Sequence, residues 1–128
     1  MRALLDTHAF LWFVTGDGRL SPAAERVIRT GAHHLLLSIA SVWEIAIKAG
    51  LGRMDFALPI DTFVPEQLEL NRIALLPIAI DHAANVAALP QYHRDPFDRM
   101  LISQAQTERV PIISADAELD RYGIHRVW

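Results

Sequence analysis

Short apolar segments alternate with segments that carry helix signals along the whole chain. The apolar segments are too brief to span a membrane and are apolar on both faces, which is typical of strands at the centre of a parallel sheet. They lie at residues 2–5, 35–37, 73–77, 110–113 and 124–127. Because strands and helices alternate, we predict an α/β fold: a three-layer α/β/α sandwich whose mostly parallel central sheet has about five strands.

Capping residues, prolines and glycines set the boundaries of the predicted helices. Ser21 precedes Pro22 and Asp95 precedes Pro96, so each pair is a cap followed by a proline at the first helical position. Pro65 is expected to break or kink its helix near the start. The predicted helices run from His8 to Val14, from Ser21 to about Thr30, from Ser38 to about Ala49, from Ile60 to Asn71, from an Asp81 cap to about Leu89 and from Asp95 onward, with a short helix around Leu119.

The composition excludes several classes of protein. With 128 residues and no cysteine, we expect one domain over residues 1–128, without disulfides or thiolate metal sites. The first strand lacks the features of a signal peptide and no apolar run approaches the ~20 residues of a spanning helix, so we expect a soluble, cytoplasmic protein without a membrane partner. The formal net charge of −3 gives no basic footprint for nucleic acid, although eleven of the twelve basic residues are arginines, which suit phosphate.

Four carboxylates stand at related positions in this pattern. Asp6 and Asp116 follow buried strands, while Glu44 and Asp98 lie near the starts of helices that follow a strand or a loop. In a right-handed parallel sheet, strand C-termini and helix N-termini share one edge, so all four acids can converge there. Such a cluster repels itself unless protons or cations neutralise it.

Each acid also has a purely structural alternative. Asp6 or Thr7 can cap the helix that follows, and Asp98 in a first helical turn is favoured by the helix dipole. If Ser41 is a cap, Glu44 completes a capping box; if Ser38 is the cap, which directly follows its strand, Glu44 lies in the second turn and needs another reason to be there.

Carboxylate oxygens without cysteine or a clear histidine pair select hard cations, chiefly Mg²⁺ or Mn²⁺. One or two such ions would bind a phosphodiester oxygen and acidify a bound water, so no side-chain nucleophile is needed. Bound divalent cations would also create a local region of positive charge on a protein whose net charge is negative. The predicted chemistry is therefore metal-assisted hydrolysis of a phosphodiester.

Four motifs carry a resemblance to a known family. Leu4-Leu5-Asp6-Thr7-His8 and Ile113-Ser114-Ala115-Asp116 resemble the first and last acidic motifs of PIN-domain ribonucleases. The two middle motifs, residues 41–48 (SVWEIAIK) and 95–102 (DPFDRMLI), resemble those of VapC-type toxins from bacterial toxin–antitoxin operons. Each piece is weak alone, but their order and their spread over nearly the whole chain are specific.

The resemblance implies a metal-dependent endoribonuclease. It makes Asp6, Glu44, Asp98 and Asp116 the metal ligands, directly or through water. Supporting roles fall to the Ser114 hydroxyl and to Thr7, while Asp95 is kept as a helix cap that also orients the site. The resemblance further implies a homodimer that is held silent by a VapB-type antitoxin, whose tail covers the acidic crevice.

Other side chains near these motifs are weaker candidates. We expect Lys48, Arg53, Arg94 and Arg99 to contact RNA phosphates, with ordinary surface ion pairs as the alternative. His8 and His93 lie close to the acids in sequence, and surface or capping roles are the alternative to contact with metal or RNA. The sequence does not identify the RNA that is cut.

Three other functions are compatible with part of the pattern. A haloacid-dehalogenase-like phosphatase also begins with an aspartate after a strand, but it would have a second aspartate where His8 stands and a lysine far downstream, whereas Lys48 is the only lysine. A non-catalytic interaction module would use the four acids only as caps and surface charge. An RNA-processing nuclease would keep the chemistry without being a toxin.

Overall fold

A five-stranded, entirely parallel sheet forms the centre of the protein in the computed structural model, which describes residues 1–31 and 33–128. The spatial order of the strands is β3-β2-β1-β4-β5. Their bounds are β1 Arg2–Leu5, β2 His34–Ser38, β3 Ile73–Leu76, β4 Ile112–Ile113 and β5 Arg126–Val127. The predicted parallel sheet of about five strands is confirmed.

Helices connect the strands in the predicted alternation. They are α1 Thr7–Thr15, α2 Pro22–Arg29, α3 Ile39–Gly50, α4 Ile60–Leu70, α5 Ile80–Val86 and α6 Pro96–Glu108, and a 3₁₀ helix spans Ala117–Tyr122. No helix in the described part of the chain combines the length and apolar character that a membrane crossing requires.

Alternate residues of β1, β2 and β4 enter different hydrophobic clusters, because helices cover both faces of the sheet. Leu5 and Leu37 pack with α1, α2 and α4 on one face. Leu4 and Leu36 pack with α6 on the other. Because neighbouring side chains of a strand point to opposite faces, the continuous apolar runs are explained by this two-sided burial.

The strand order reverses direction between β1 and β4, which are neighbours in the sheet although β2 and β3 lie between them in sequence. In open α/β sheets, the crevice outside the strand C-termini at such a point is the usual ligand site. Asp6 follows β1 there, and Ser114 and Asp116 follow β4. The topology therefore brings the two ends of the chain to one crevice.

One predicted helix start is wrong in detail. Helix α5 begins at Ile80 after an Ala79 cap, so Asp81 is already helical, although its Oδ1 still accepts the His82 N–H at 3.0 Å. The His82 ring accepts the Ala79 N–H through Nδ1 at 3.0 Å. The helix predicted from Ile60 to Asn71 is present as α4, Ile60–Leu70, with Pro65 inside it. Burial of Val64 and Leu68 in the core favours this helix despite the N–H that proline lacks.

The loop between α5 and α6 is organised around one buried arginine. Arg99 is 9% exposed, and its guanidinium donates to the carbonyl oxygens of Val86, Leu89, Pro90 and His93 at 2.9 to 3.4 Å. The prediction that Arg99 contacts RNA phosphate is therefore wrong, because its guanidinium N–H groups already donate to these carbonyl oxygens. Its position in α6, close behind Asp98, lets it hold the loop beside the site.

We predict that Arg99→Lys destabilises the protein by about 2–4 kcal/mol, because a lysine replaces a planar fork with a single ammonium and leaves buried carbonyls without donors. Urea denaturation would measure the change in the free energy of unfolding. Arg94→Lys, at an exposed neighbouring position, is the matched control and should change it little. Equal stability of Arg99→Lys and the wild type would contradict this structural role.

Candidate active site

A cavity of about 210 Å³ lies at the crevice between β1 and β4. Three carboxylates line it, those of Asp6, Asp98 and Asp116. The Ser114 side chain and His8 complete its polar wall, and the remaining lining is apolar, from Leu101, Ile112 and Leu119. Three of the four predicted acids are thus brought together in one small space.

Asp6 serves two purposes at the end of β1. It is the N-cap of α1, and its Oδ1 accepts the Ala9 N–H at 2.7 Å. Burial raises the pKa of Asp6 above its ordinary value, although the Ser114 hydroxyl and the Ala9 N–H oppose that rise. The hydrogen bond that caps α1 therefore also orients the Asp6 carboxylate in the crevice. Asp6 is both a helix cap and a candidate ligand.

Asp116 is fixed in a similar way at the end of β4. Its Oδ1 accepts the Glu118 N–H at 3.0 Å, which caps the 3₁₀ helix, and its backbone N–H donates to Ser114 Oγ at 3.0 Å. Ser114 itself is fully buried. The serine thus shapes the turn that presents Asp116.

Asp98 occupies the third position of α6, behind the predicted Asp95 cap. Asp95 Oδ1 accepts the N–H groups of Phe97 and Asp98 at 2.7 and 3.2 Å. Burial, together with the charges of Asp95, Glu44 and Asp116, raises the pKa of Asp98 to about 6, even though His93 favours ionisation. Asp98 is therefore the carboxylate on which the crowding of negative charge acts most clearly.

Glu44 lies behind the cavity rather than in its lining. It is 5% exposed, in the second turn of α3 after the Ser38 cap, so it is not part of a capping box. Its Oε1 accepts the Thr7 hydroxyl at 2.7 Å and its Oε2 accepts Lys48 Nζ at 2.7 Å. Thr7 Oγ1 also hydrogen-bonds Ser41 Oγ at 2.9 Å. Glu44 nevertheless acts on the site, since its charge helps to raise the pKa of Asp98.

The donor set of the cavity fits a hard divalent cation. The lining acids offer only oxygen atoms, and no arginine or lysine of residues 1–31 and 33–128 pairs with Asp6 or Asp98. Burial raises the pKa of Asp6 and of Asp98, and nearby carboxylates add to both rises, so a cation in the cavity would favour the ionised form of each. The described side chains form no ready-made cage of three or more acid or histidine ligands. An ion would therefore complete its coordination with water, as Mg²⁺ commonly does.

The basic residues predicted to contact RNA have different environments. Arg53 and Arg94 are exposed and available to a large ligand. Lys48 is instead half-buried against Glu44, which is the ion-pair alternative considered for it. Arg99 is occupied by backbone carbonyls, as described above.

One contact in the site was not predicted from the sequence. His93 Nε2 lies 2.7 Å from Asp116 Oδ2, although 23 positions separate the two residues along the chain. The sequence analysis considered His93 only for contact with metal or RNA, because it lies close to the acids of the third motif. A contact between the side chains of this loop and of the segment after β4 depends on how the loop folds, which no local pattern indicates.

Comparisons with known proteins agree with the fold. A family model described as PIN domain matches residues 3–124. Ribonuclease VapC16 of Mycobacterium tuberculosis (strain ATCC 25618 / H37Rv) is 35% identical over 57 residues, which span 44% of this chain and only 39% of that relative. Among solved structures, VapBC2 from Rickettsia felis, bound to a DNA fragment from its promoter, aligns over 100% of both chains with a TM-score of 0.72 and 10% identity. FitAcB from Neisseria gonorrhoeae covers 97% of this chain and 95% of its own, with a TM-score of 0.60 and 17% identity. At these identities the structures establish similarity of fold.

We predict that Asp98→Asn stabilises the metal-free protein at pH 7 to 8 and not at pH 4. The pKa of Asp98 is higher in the folded protein, about 6, than its ordinary 3.8, so the folded state binds the proton more tightly. The contribution of Asp98 to stability therefore falls as pH rises from about 3.8 to 6, and stays low above that.

The measurement is thermal melting in EDTA across this pH range. Glu66→Gln, which removes a charge from an exposed position of α4, is the matched control. A melting difference between Asp98→Asn and the wild type that does not change with pH would contradict the prediction.

Proposed function

Because the chain belongs to the PIN domain family, we propose that it is a metal-dependent endoribonuclease and the toxin of a type II toxin–antitoxin pair. The observation that carries the proposal is the convergence of Asp6, Asp98 and Asp116 on one cavity at the strand-order reversal. The partial match to a relative named as a ribonuclease points in the same direction.

The metal of the proposal is Mg²⁺ or Mn²⁺, as one or two ions per subunit. Asp6, Asp98 and Asp116 would hold it, and Glu44 would act through water or through its effect on Asp98. A bound divalent ion supplies Lewis acidity: it lowers the pKa of a water molecule and offsets charge on a phosphodiester oxygen. Carboxylate donors are the appropriate ligands for such ions.

The residues of the chain supply position and charge. The α1 cap fixes Asp6, the α6 cap fixes the turn that bears Asp98, and Ser114 with the Glu118 N–H fixes Asp116. Thr7 and Lys48 hold the Glu44 carboxylate in place behind them. Since both helix caps are backbone hydrogen bonds to the acids or their neighbours, the site is preorganised before a substrate arrives.

The substrate of the proposal is RNA whose backbone passes over the cavity. Arg53 and Arg94 are the exposed cations that we propose for phosphate contacts. Lys48 remains a candidate only if it leaves Glu44. Proteins that recognise RNA sequences bind mostly unpaired loops, so we propose unpaired RNA as the substrate.

The partners of the proposal are a second copy of the chain and a VapB-type antitoxin that covers the acidic crevice. Support comes from solved toxin–antitoxin complexes with the same fold. The chain also exposes apolar surface suited to association: Leu75 and Ile39 are 47% and 39% exposed and border an apolar groove with Val42, Val64 and Leu68. A protein acting on cellular RNA in this way would work in the cytoplasm, where a chain without cysteine is unaffected by reducing conditions.

We predict that Asp98→Asn lowers the rate of RNA cleavage by about 100-fold or more, beyond the 10- to 100-fold typical of residues that only support metal ligands. The Asn side chain keeps the shape of the carboxylate but loses its charge. Cleavage of a fluorescent RNA, with circular dichroism to verify folding, measures the effect.

Asp95→Asn is the matched control three positions away. Asparagine caps helices about as well as aspartate, so this variant should retain most of the activity. If Asp98→Asn is fully active, or if both variants are equally inactive, the roles proposed for these two acids are wrong.

We also predict that Mn²⁺ or Mg²⁺ raises the melting temperature of the wild type at pH 7.5 and that excess EDTA abolishes cleavage. An ion that binds only the folded state stabilises it and relieves repulsion among the carboxylates. Scanning calorimetry with and without metal measures the shift, with Ca²⁺-free buffer and the Asp98→Asn variant as controls. An unchanged melting temperature, together with full activity in EDTA, would favour a metal-independent function.

A further inference from the structure

His93 bridges the candidate active site and the buried Tyr122 side chain. It lies in the loop before α6, and its side chain is only 10% exposed. Nε2 contacts Asp116 Oδ2 at 2.7 Å, and Nδ1 contacts the Tyr122 hydroxyl at 2.8 Å. Both ring nitrogens are thus occupied by protein groups.

The two partners determine where the proton sits on a neutral ring. An ionised carboxylate only accepts hydrogen bonds, so Nε2 must carry the hydrogen that faces Asp116. Nδ1 is then an acceptor, and the Tyr122 hydroxyl donates to it. In this arrangement the ring directs no lone pair into the cavity, so His93 is not placed to bind a metal ion.

The bond from His93 completes the fixation of Asp116. Asp116 Oδ1 already accepts the Glu118 N–H, and Oδ2 accepts from His93. A carboxylate held at both oxygens cannot rotate freely, although 41% of this side chain is exposed. Without His93, the Asp116 carboxylate would keep one restraint and could turn toward solvent.

His93 is itself held from several sides. Its carbonyl oxygen accepts from the buried Arg99 at 3.2 Å, and its ring lies against Tyr122, which is 8% exposed. Tyr92 packs edge-on against Tyr122 at 5.2 Å between ring centroids, and the Arg121 guanidinium covers Tyr92. These contacts restrain the loop and hold the His93 ring beside Asp116.

We propose that His93 is a positioning residue that holds the Asp116 carboxylate in the orientation required for metal binding and RNA cleavage. This proposal rests on the function proposed above. Outer hydrogen-bond partners of metal-ligating groups orient those groups, and their loss typically weakens metal binding or activity by about 10- to 100-fold.

The test compares His93→Phe with His93→Gln. Phenylalanine keeps a ring in the loop but has no donor, whereas the glutamine amide can donate from nearly the position of Nε2. We expect His93→Phe to bind Mn²⁺ about 10- to 100-fold more weakly by titration calorimetry and to lower kcat with little change in KM for RNA. His93→Gln should recover most of both.

Tyr122→Phe and His125→Phe are the controls. Tyr122→Phe removes only the hydroxyl that bonds Nδ1 and should give an intermediate loss of Mn²⁺ affinity. His125 is exposed, and its carbonyl bonds Ile112 N at the start of β4, so its replacement should change nothing at the site. Thermal melting establishes that each variant is folded.

A crystal structure of metal-free His93→Phe provides a readout independent of activity. We expect the Asp116 carboxylate to rotate away from its wild-type orientation. If it does not move, or if His93→Phe binds Mn²⁺ as tightly as the wild type, the inference is wrong. If His93→Gln is as impaired in cleavage as His93→Phe while both bind Mn²⁺ normally, His93 acts on RNA and not through Asp116. A wild type that neither binds Mn²⁺ nor cleaves RNA would refute the proposed function, and the crystal structure would then decide the positioning of Asp116 alone.

Discussion

Electrostatic repulsion among carboxylates is the constraint on which the organisation of this protein depends. The sheet brings Asp6, Asp98 and Asp116 to one cavity and leaves Glu44 close behind them. Burial raises the pKa of both Asp6 and Asp98, and the charges of neighbouring carboxylates add to each rise. A fold that stays intact with such a cluster must hold each acid by other interactions, and that requirement explains much of the local structure.

Helix capping is the means by which the acids are held. Asp6 and Asp116 each cap the helix that follows them, and Asp98 stands within the turn that Asp95 caps. A capping bond has a definite direction, so a residue that stabilises a helix start is also an oriented carboxylate. The structural role that the sequence presents at each of these positions is therefore compatible with the functional role that we propose.

Local patterns were enough to predict most of the fold. Apolar runs identified the five strands, and the Ser21, Ser38 and Asp95 caps identified three helix starts, because each signal lies within a few neighbouring residues. The start of α5 was missed because its cap residue, Ala79, has no side-chain oxygen and gives no capping signal; the His82 ring accepts the Ala79 N–H instead.

Three of the four predicted acids converge on the cavity, whereas the surroundings of the cations were predicted less well. Arg99 was assigned to RNA because an arginine in a motif is equally suited to phosphate and to carbonyl oxygens, and only the folded loop distinguishes them. The ion pair of Lys48 with Glu44 lies within one helix and was among the alternatives considered. The contact of His93 with Asp116 was not predicted, because it depends on how the loop before α6 folds back over the end of β4.

The two strands that border the crevice, β1 and β4, differ in the length of their pairing, so the two sides of the crevice differ in resistance to local unfolding. β1 and β2 are joined over four residue pairs, whereas β4 pairs with β1 and with β5 over two residues each. Fewer ladder hydrogen bonds mean a smaller free energy of local unfolding. We therefore expect the segment that carries Asp116 to open locally more readily than the segment that carries Asp6, so the carboxylates would separate through a partial, reversible opening before the whole molecule unfolds.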